Sequence, residues 1–438
     1  MNPLAQELNA ALERGNAHIL TQLSAVGRQL FFPKGILSQS AEAKEQAHRI
    51  NATIGIAKEA GHTMHLGALM APIEGLRPAE TLTYAPSFGI PALREAWRKS
   101  IYRKNPSIKE LPLSLPVVTC GITHGVSLVA DMWLDPGDTV VLPEKMWGNY
   151  NLIMGIRRGV ELRTFETFTP AGGYNLQGLE TTLKTVAAEK SKVTVLFNFP
   201  HNPTGYTVSE VEAEAIVAML TGLADQGTEV LALCDDAYFG LVYEAGVLEE
   251  SLFARLCGRH PRLLPIKLDG ATKEDDAGGL RVGFVTYCPW VEGDAEAVLD
   301  ALARKTAGAV RGTISNASHL SQTLLLQALQ HPRYPEQKVA KFEILKRRAL
   351  KVKAVAGDDK YAALWGLYPF NSGYFMCLRL KTVGAEPLRR HLLRRHGVGL
   401  IALGQSDLRV AFSCLEEDDV ETLFDLIRQG IEELTRDG

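Results

Sequence analysis

Five side chains of this 438-residue chain have the types and the order that nucleophilic and acid–base chemistry at a carbonyl centre requires: Asn202, Asp235, Tyr238, Lys273 and Arg281. Lys273 follows an apolar run, Leu263–Leu268, in the stretch D-G-A-T-K-E-D-D-A-G-G-L-R. Arg281 stands eight residues on, at the entrance of a second apolar run, Leu280–Tyr287. A lysine at a strand end can lose hydration, drop its pKa and present a free amine as a Schiff-base nucleophile. An arginine close by suits an oxyanion such as a phosphate, because its planar fork binds bidentately. The pentapeptide H-N-P-T-G at 201–205 comes directly after the apolar V-T-V-L-F-N-F, and a further strand ends in C-D-D-A-Y-F-G with Asp235 at its tip. Taken singly, each has an ordinary reading as a surface lysine, a turn or a helix cap. Their common position after successive strands argues for one site, since ligands of open α/β sheets collect beyond the carboxyl ends of the strands.

The elements that must position these groups alternate along the chain. Helical periodicity covers Ile90–Tyr102, Gly121–Leu134 and the stretch from about Ser209 to Leu223, between short apolar strands such as Thr139–Leu142. This pattern predicts a mostly parallel α/β sheet. Ser318–Lys353 reads as helical with an interruption at His331-Pro332, and Y-F-M-C-L-R-L, L-I-A-L and L-R-V-A-F-S-C read as strands of a smaller α+β unit. The first fifty residues read as amphipathic helix broken near Gly15 and around 31–35. Domains are expected at 1–60 (an arm and part of a small domain), 61–325 (large) and 326–438 (small).

Composition narrows the function classes. The chain is 46% hydrophobic with a formal charge of −3 and no basic block, which argues against a nucleic-acid partner. No apolar run approaches membrane-spanning length, and the first residues lack the order of a signal peptide. Six cysteines without a C-x-x-C pattern fit reduced residues in a cytoplasmic protein. His62 and His65 form a close pair with no third ligand evident, so no metal is expected.

With these motifs in view, the chain resembles the pyridoxal-5′-phosphate (PLP) enzymes of the aspartate aminotransferase fold type, class I/II, from about residue 50 to 415. The resemblance implies an aspartate aminotransferase-like three-layer large domain plus a smaller α+β domain. It makes Lys273 the lysine that holds the cofactor covalently, Asp235 the carboxylate at the pyridine nitrogen, and Asn202 and Tyr238 the partners of the ring O3′. Gly121-Ile122-Thr123, Thr272 and Arg281 would bind the phosphate, and Trp147 would stack on the ring. Arg409 matches the clamp on the substrate α-carboxylate, and Gly55 matches a mobile glycine closing over it. Arg311, in V-R-G-T-I-S-N, matches an arginine that reaches across a dimer to a distal carboxylate, and Tyr84 resembles a tyrosine that reaches the partner's phosphate. The implied activity is ping-pong transamination of an L-amino acid, aspartate or aromatic, with a 2-oxo acid such as 2-oxoglutarate, in a homodimer with shared sites. A β-lyase, a decarboxylase or a non-catalytic PLP-binding regulator is the alternative. Three departures stand out. Gly270 replaces a usual phosphate-binding hydroxyl, which leaves the cradle one hydroxyl short unless Thr272 supplies it. Glu274, Asp275 and Asp276 make the segment after the lysine acidic, either solvated or set against a second negative substrate group. I-A-K-E-A-G follows Gly55 where the closest dicarboxylate enzymes commonly have an aromatic.

Overall fold

The computed structural model describes residues 1–31 and 35–437. Seven strands form the central sheet: β1 (Val117–Cys120), β2 (Thr139–Pro143), β3 (Glu161–Phe165), β4 (Lys192–Asn198), β5 (Glu229–Asp235), β6 (Leu263–Gly270) and β7 (Val282–Tyr287). Their order is β1-β7-β6-β5-β4-β2-β3; β7 runs antiparallel to both neighbours and the other pairings are parallel. Strand residues alternate between two cores: Val193, Val195 and Phe197 face one layer of helices, while Leu196, Leu231 and Leu233 face the other. A sheet apolar on both faces must be covered on both, which gives three layers.

A second sheet, of β8 (Trp365–Leu367), β9 (Phe375–Leu380), β10 (Ile401–Leu403) and β11 (Asp407–Ala411), is antiparallel in the order β8-β9-β11-β10 and has its own core with the C-terminal helix Asp419–Asp437. The chain's early residues join this unit, as Ile50 pairs with Val398 and Asn51 with Gly399 in parallel.

The N-terminal expectation needs correction. Helix Pro3–Gln22 runs through Gly15 unbroken and ends at Leu23, after which Ser24 caps a new helix, Ala25–Gln29. A glycine in an exposed helix interior costs about 1 kcal/mol relative to alanine, too little to stop a helix of this length. The second expected break falls mostly on 32–34, outside the described residues. His331-Pro332 does divide its helix, into His319–Gln330 and Tyr334–Ala356. Among the described residues no helix is long and apolar enough to cross a membrane. Of the six cysteines, all of them free thiols, only Cys120 is exposed.

Candidate functional site

Parallel register brings the carboxyl ends of β4, β5 and β6 side by side, with Asn198 opposite Asp235 and Asp235 opposite Leu268. Beyond them lies a cavity of about 190 Å³ lined by Ile122, Thr123, Trp147, Tyr150, Asn198, Asn202, Asp235, Ala237, Tyr238, Thr272, Lys273 and Arg281. It opens into a cleft of about 860 Å³ between the two sheets, where Gly55, Phe375 and Arg409 join the walls. Twelve of the fourteen site residues expected from sequence converge here or, as Gly121 does, sit directly against it. Tyr84 and Arg311 do not. Tyr84 is 90% exposed, and Arg311 is exposed in the last turn of helix Ala295–Thr313.

Asp235 is buried at the end of β5, where it accepts hydrogen bonds from Tyr150 Oη at 2.6 Å and from the Ala237 N–H at 3.1 Å. Burial pushes its pKa up to about 6, against the pull of Tyr150, which favours the ionised form. Tyr150 escaped the sequence reading, although its place three residues after Trp147 on a helical turn was a usable signal. The two rings meet edge to face, with centroids 5.3 Å apart. Asn198 was missed as well. It donates to the Asp235 carbonyl and accepts from the Asn202 N–H, both at 2.8 Å, so it ties the H-N-P-T-G loop to the tip of β5.

Lys273 lies in a single helical turn, Ala271–Glu274, immediately after β6. Its Nζ stands 5.3 Å from the centre of the Tyr238 ring. Burial first, then the Arg281 charge, lower its pKa to about 8, with Asp235 opposing. The same burial pushes the Tyr238 hydroxyl above its ordinary range.

The opposite end of the cavity is built for an anion. Helix Gly121–Trp133 starts there with its unpaired N–H groups, and Gly121 has φ +74°. A Cβ on Gly121 would lie 2.3 Å from Arg281 Nη2, so only glycine lets the guanidinium close onto the helix start. Thr272 Oγ1 is buried without a hydrogen-bond partner. Gly270 has a steric cause: a Cβ there would stand 2.5 Å from the Val282 carbonyl oxygen. The close approach of β6 and β7 excludes a serine at 270 and leaves Thr272 to offer the hydroxyl.

Arg409 is 2% exposed on β11. It donates to the Thr53 carbonyl at 2.8 Å and to Asn202 Oδ1 at 3.2 Å, lies 4.2 Å from the centre of the Phe375 ring, and keeps Nε unpaired. Burial lowers its pKa, a strain that a carboxylate in the cleft would relieve.

Within the acidic run after Lys273, Glu274 and Asp275 are buried and paired rather than solvated, while the partly buried Asp276 lines the cleft. Glu274 pairs with Lys104; Asp275 accepts from Tyr334 Oη at 2.5 Å and from Lys338 Nζ at 3.0 Å; Asp276 accepts from Tyr374 Oη at 2.9 Å. Burial works against ionisation of Glu274, but Lys104 and Lys338 hold its pKa below the usual value. The run pins the lysine-bearing turn to helices Pro91–Lys104 and Tyr334–Ala356.

The family described as aminotransferase class I and II matches residues 69–427. A probable aspartate/prephenate aminotransferase of Aquifex aeolicus is 26% identical over 83% of this chain and 87% of its own length. An aspartate aminotransferase of Sulfurisphaera tokodaii is 23% identical over 80% and 81%. Among solved structures, an aminotransferase of Anaerococcus prevotii superposes with a TM-score of 0.82 at 21% identity, covering 94% of this chain and 99% of that one. The Pyrococcus horikoshii kynurenine aminotransferase gives 0.77 at 16% identity, covering 96% and 98%. The fold is the aspartate aminotransferase fold, and the chain belongs to the class I and II aminotransferases, transferases of nitrogenous groups whose cofactor is pyridoxal 5′-phosphate.

Proposed function

We propose that this chain transfers the amino group of an L-amino acid, aspartate or an aromatic one, to a 2-oxo acid such as 2-oxoglutarate in two half-reactions of a ping-pong cycle. The observation that carries the reading is the convergence, in one cleft, of an amine with a pKa near 8, a buried carboxylate and a buried, incompletely paired arginine. The residues fit the cofactor. The unpaired Thr272 hydroxyl, Thr123, Arg281 and the helix start at Gly121-Ile122 form an anion cradle at one end, and Asp235 offers a carboxylate at the other. When bound, the cofactor supplies an electron sink for a carbanion at the substrate α-carbon.

The protein's own groups then have definite tasks. Lys273 would hold the cofactor, and its amine, with a pKa lowered to about 8, is suited to move a proton at the substrate α-carbon near neutrality. Asp235, whose ionised form Tyr150 favours, would hold the ring nitrogen. Asn202 and Tyr238 would hold the ring oxygen, and Trp147 would pack on the ring. Arg409 clamps the α-carboxylate and orients the bond to be broken, while Gly55 lies where the cleft closes. The exposure of Tyr84 and Arg311 fits service in a partner's cleft, so the site would be complete only in a homodimer. We assign 61–325 to the cofactor-binding domain, 1–60 to the arm and part of the small domain, and 326–438 to the rest of that domain. The pairing of Ile50 with Val398 supports this division.

The test is the visible spectrum of the PLP-loaded protein with L-aspartate, L-glutamate or L-tyrosine. Loss of the yellow band with one donor, and its return with 2-oxoglutarate, is expected. A band indifferent to all donors, with carbon dioxide or pyruvate released instead, would overturn the reading in favour of a decarboxylase or lyase.

A further inference from the structure

A second cluster of chemically capable side chains lies away from the cleft, in the smaller unit. Helix Ala385–His391 passes into a π-helical turn, Leu392–His396, which ends at Gly397 with φ +64°. In an α-helix, side chains five apart point in different directions; in a π turn, with i→i+5 hydrogen bonds, they share a face. His391 and His396 therefore stand together, with ring centroids 5.8 Å apart, while the intervening Arg394 and Arg395 are exposed. Both rings face Glu433 on the C-terminal helix. Their Nε2 atoms lie 2.6 and 2.9 Å from the same carboxylate oxygen, Oε2. Gln429 donates to the other oxygen at 2.8 Å and so fixes the carboxylate's orientation. The three potential ligand atoms lie within 4.8 Å of one another. The side chains are 16%, 11% and 30% exposed, so the cluster is sheltered yet reachable from solvent.

We propose that His391, His396 and Glu433 form a binding site for a divalent cation of the zinc class, with water in the remaining position. Two imidazole nitrogens and one carboxylate oxygen are a borderline donor set that suits zinc, copper or nickel, whereas magnesium and calcium prefer all-oxygen shells. Tetrahedral zinc with ligand bonds of about 2.0–2.2 Å sets its ligand atoms about 3.3–3.6 Å apart, so both imidazole nitrogens would draw back from Oε2 by roughly 0.5–0.8 Å, a side-chain adjustment. Neither histidine lines the cleft, so the ion's role is structural. It staples the C-terminal helix to the turn at Gly397, whose carbonyl accepts the N–H groups of Arg49 and Ile50 at 3.1 and 3.2 Å. Through that carbonyl the ion braces the junction of the chain's early residues with the small domain.

The test uses PLP-loaded, chelator-stripped protein, with zinc content measured after equilibrium dialysis and thermal unfolding followed with zinc, magnesium or calcium. One retained zinc per chain and a zinc-specific rise in the unfolding midpoint, reversed by EDTA, are expected. The double variant His391→Gln/His396→Gln, and separately Glu433→Gln, should retain at least tenfold less zinc and show no zinc-dependent rise. Their PLP absorbance and their midpoint in chelator should match the parent, which separates loss of the site from loss of folding. Equal zinc retention by parent and variants, or an equal rise with zinc in all of them, would overturn the proposal.

Discussion

Lys267 and Lys273 stand six residues apart, one inside β6 and the other just past its end, yet they are set up for opposite chemistry. Lys267 is 1% exposed and pairs with Asp236 and, at 3.5 Å, with Asp269; Ser251 donates to Asp236, and the Trp97 indole N–H donates to Asp269. Burial disfavours the Lys267 charge, but the two carboxylates outweigh it and hold the ammonium above its ordinary range. Lys273 loses hydration too, but its neighbours are the Tyr238 ring, the Arg281 charge and an Asp235 already bound by Tyr150. Burial lowers a lysine pKa only where no carboxylate is spent on it. The fold thus spends one lysine on an ion pair and leaves the other's amine buried without one.

The largest expected effect is on Lys273. Lys273→Ala should lower kcat by about 10⁴-fold, the scale of losing a positioned proton carrier, while the denaturation midpoint stays near that of the parent, because no ion pair is broken. A steady-state assay beside a denaturant titration checks both halves. A fall in stability comparable to that of the next variant would erase the contrast between the lysines.

Lys267→Met should behave in the opposite way. It leaves Asp236 and Asp269 buried without their cation, a loss of about 3–5 kcal/mol in unfolding free energy. Molecules that remain folded at low temperature should keep most of their kcat. A full loss of activity in folded protein would mean that Lys267 acts in the cleft after all.

The smallest effect sharpens the Asp235 side of the comparison. Tyr150 stabilises the ionised carboxylate, so Tyr150→Phe should raise the Asp235 pKa above about 6. Asp235 is ionised above its pKa, so cofactor retention falls as pH drops through that value. In the variant the fall should begin at higher pH, with a change in kcat at pH 8 below about tenfold. An unchanged acid limb in a cofactor-retention profile would remove Tyr150 from this role.

Much of the site was legible because strand-end residues keep their order. H-N-P-T-G, the Asp235 tip and Lys273 each follow an apolar run, and parallel pairing needs only that order to bring them together. The burial of Glu274 and Asp275 was not legible because a solvated charge and a buried, paired one look alike in sequence; Lys104, Tyr334 and Lys338 lie far away along the chain. Tyr150 was passed over because a tyrosine beside a tryptophan reads as core packing. His391 and His396 were invisible as a pair because a spacing of five brings side chains together only in a π turn.

By itself, the sequence determined the α/β alternation, the lysine at a strand end and the cationic positions at 281 and 409, since these depend on local periodicity and residue type. Only the tertiary structure decided which charges are satisfied: that Lys267 is paired and Lys273 is not, that Gly270 must be glycine, and that Tyr150 supports Asp235. A pKa and a steric limit belong to the three-dimensional neighbourhood, and that neighbourhood is assembled from residues distant along the chain.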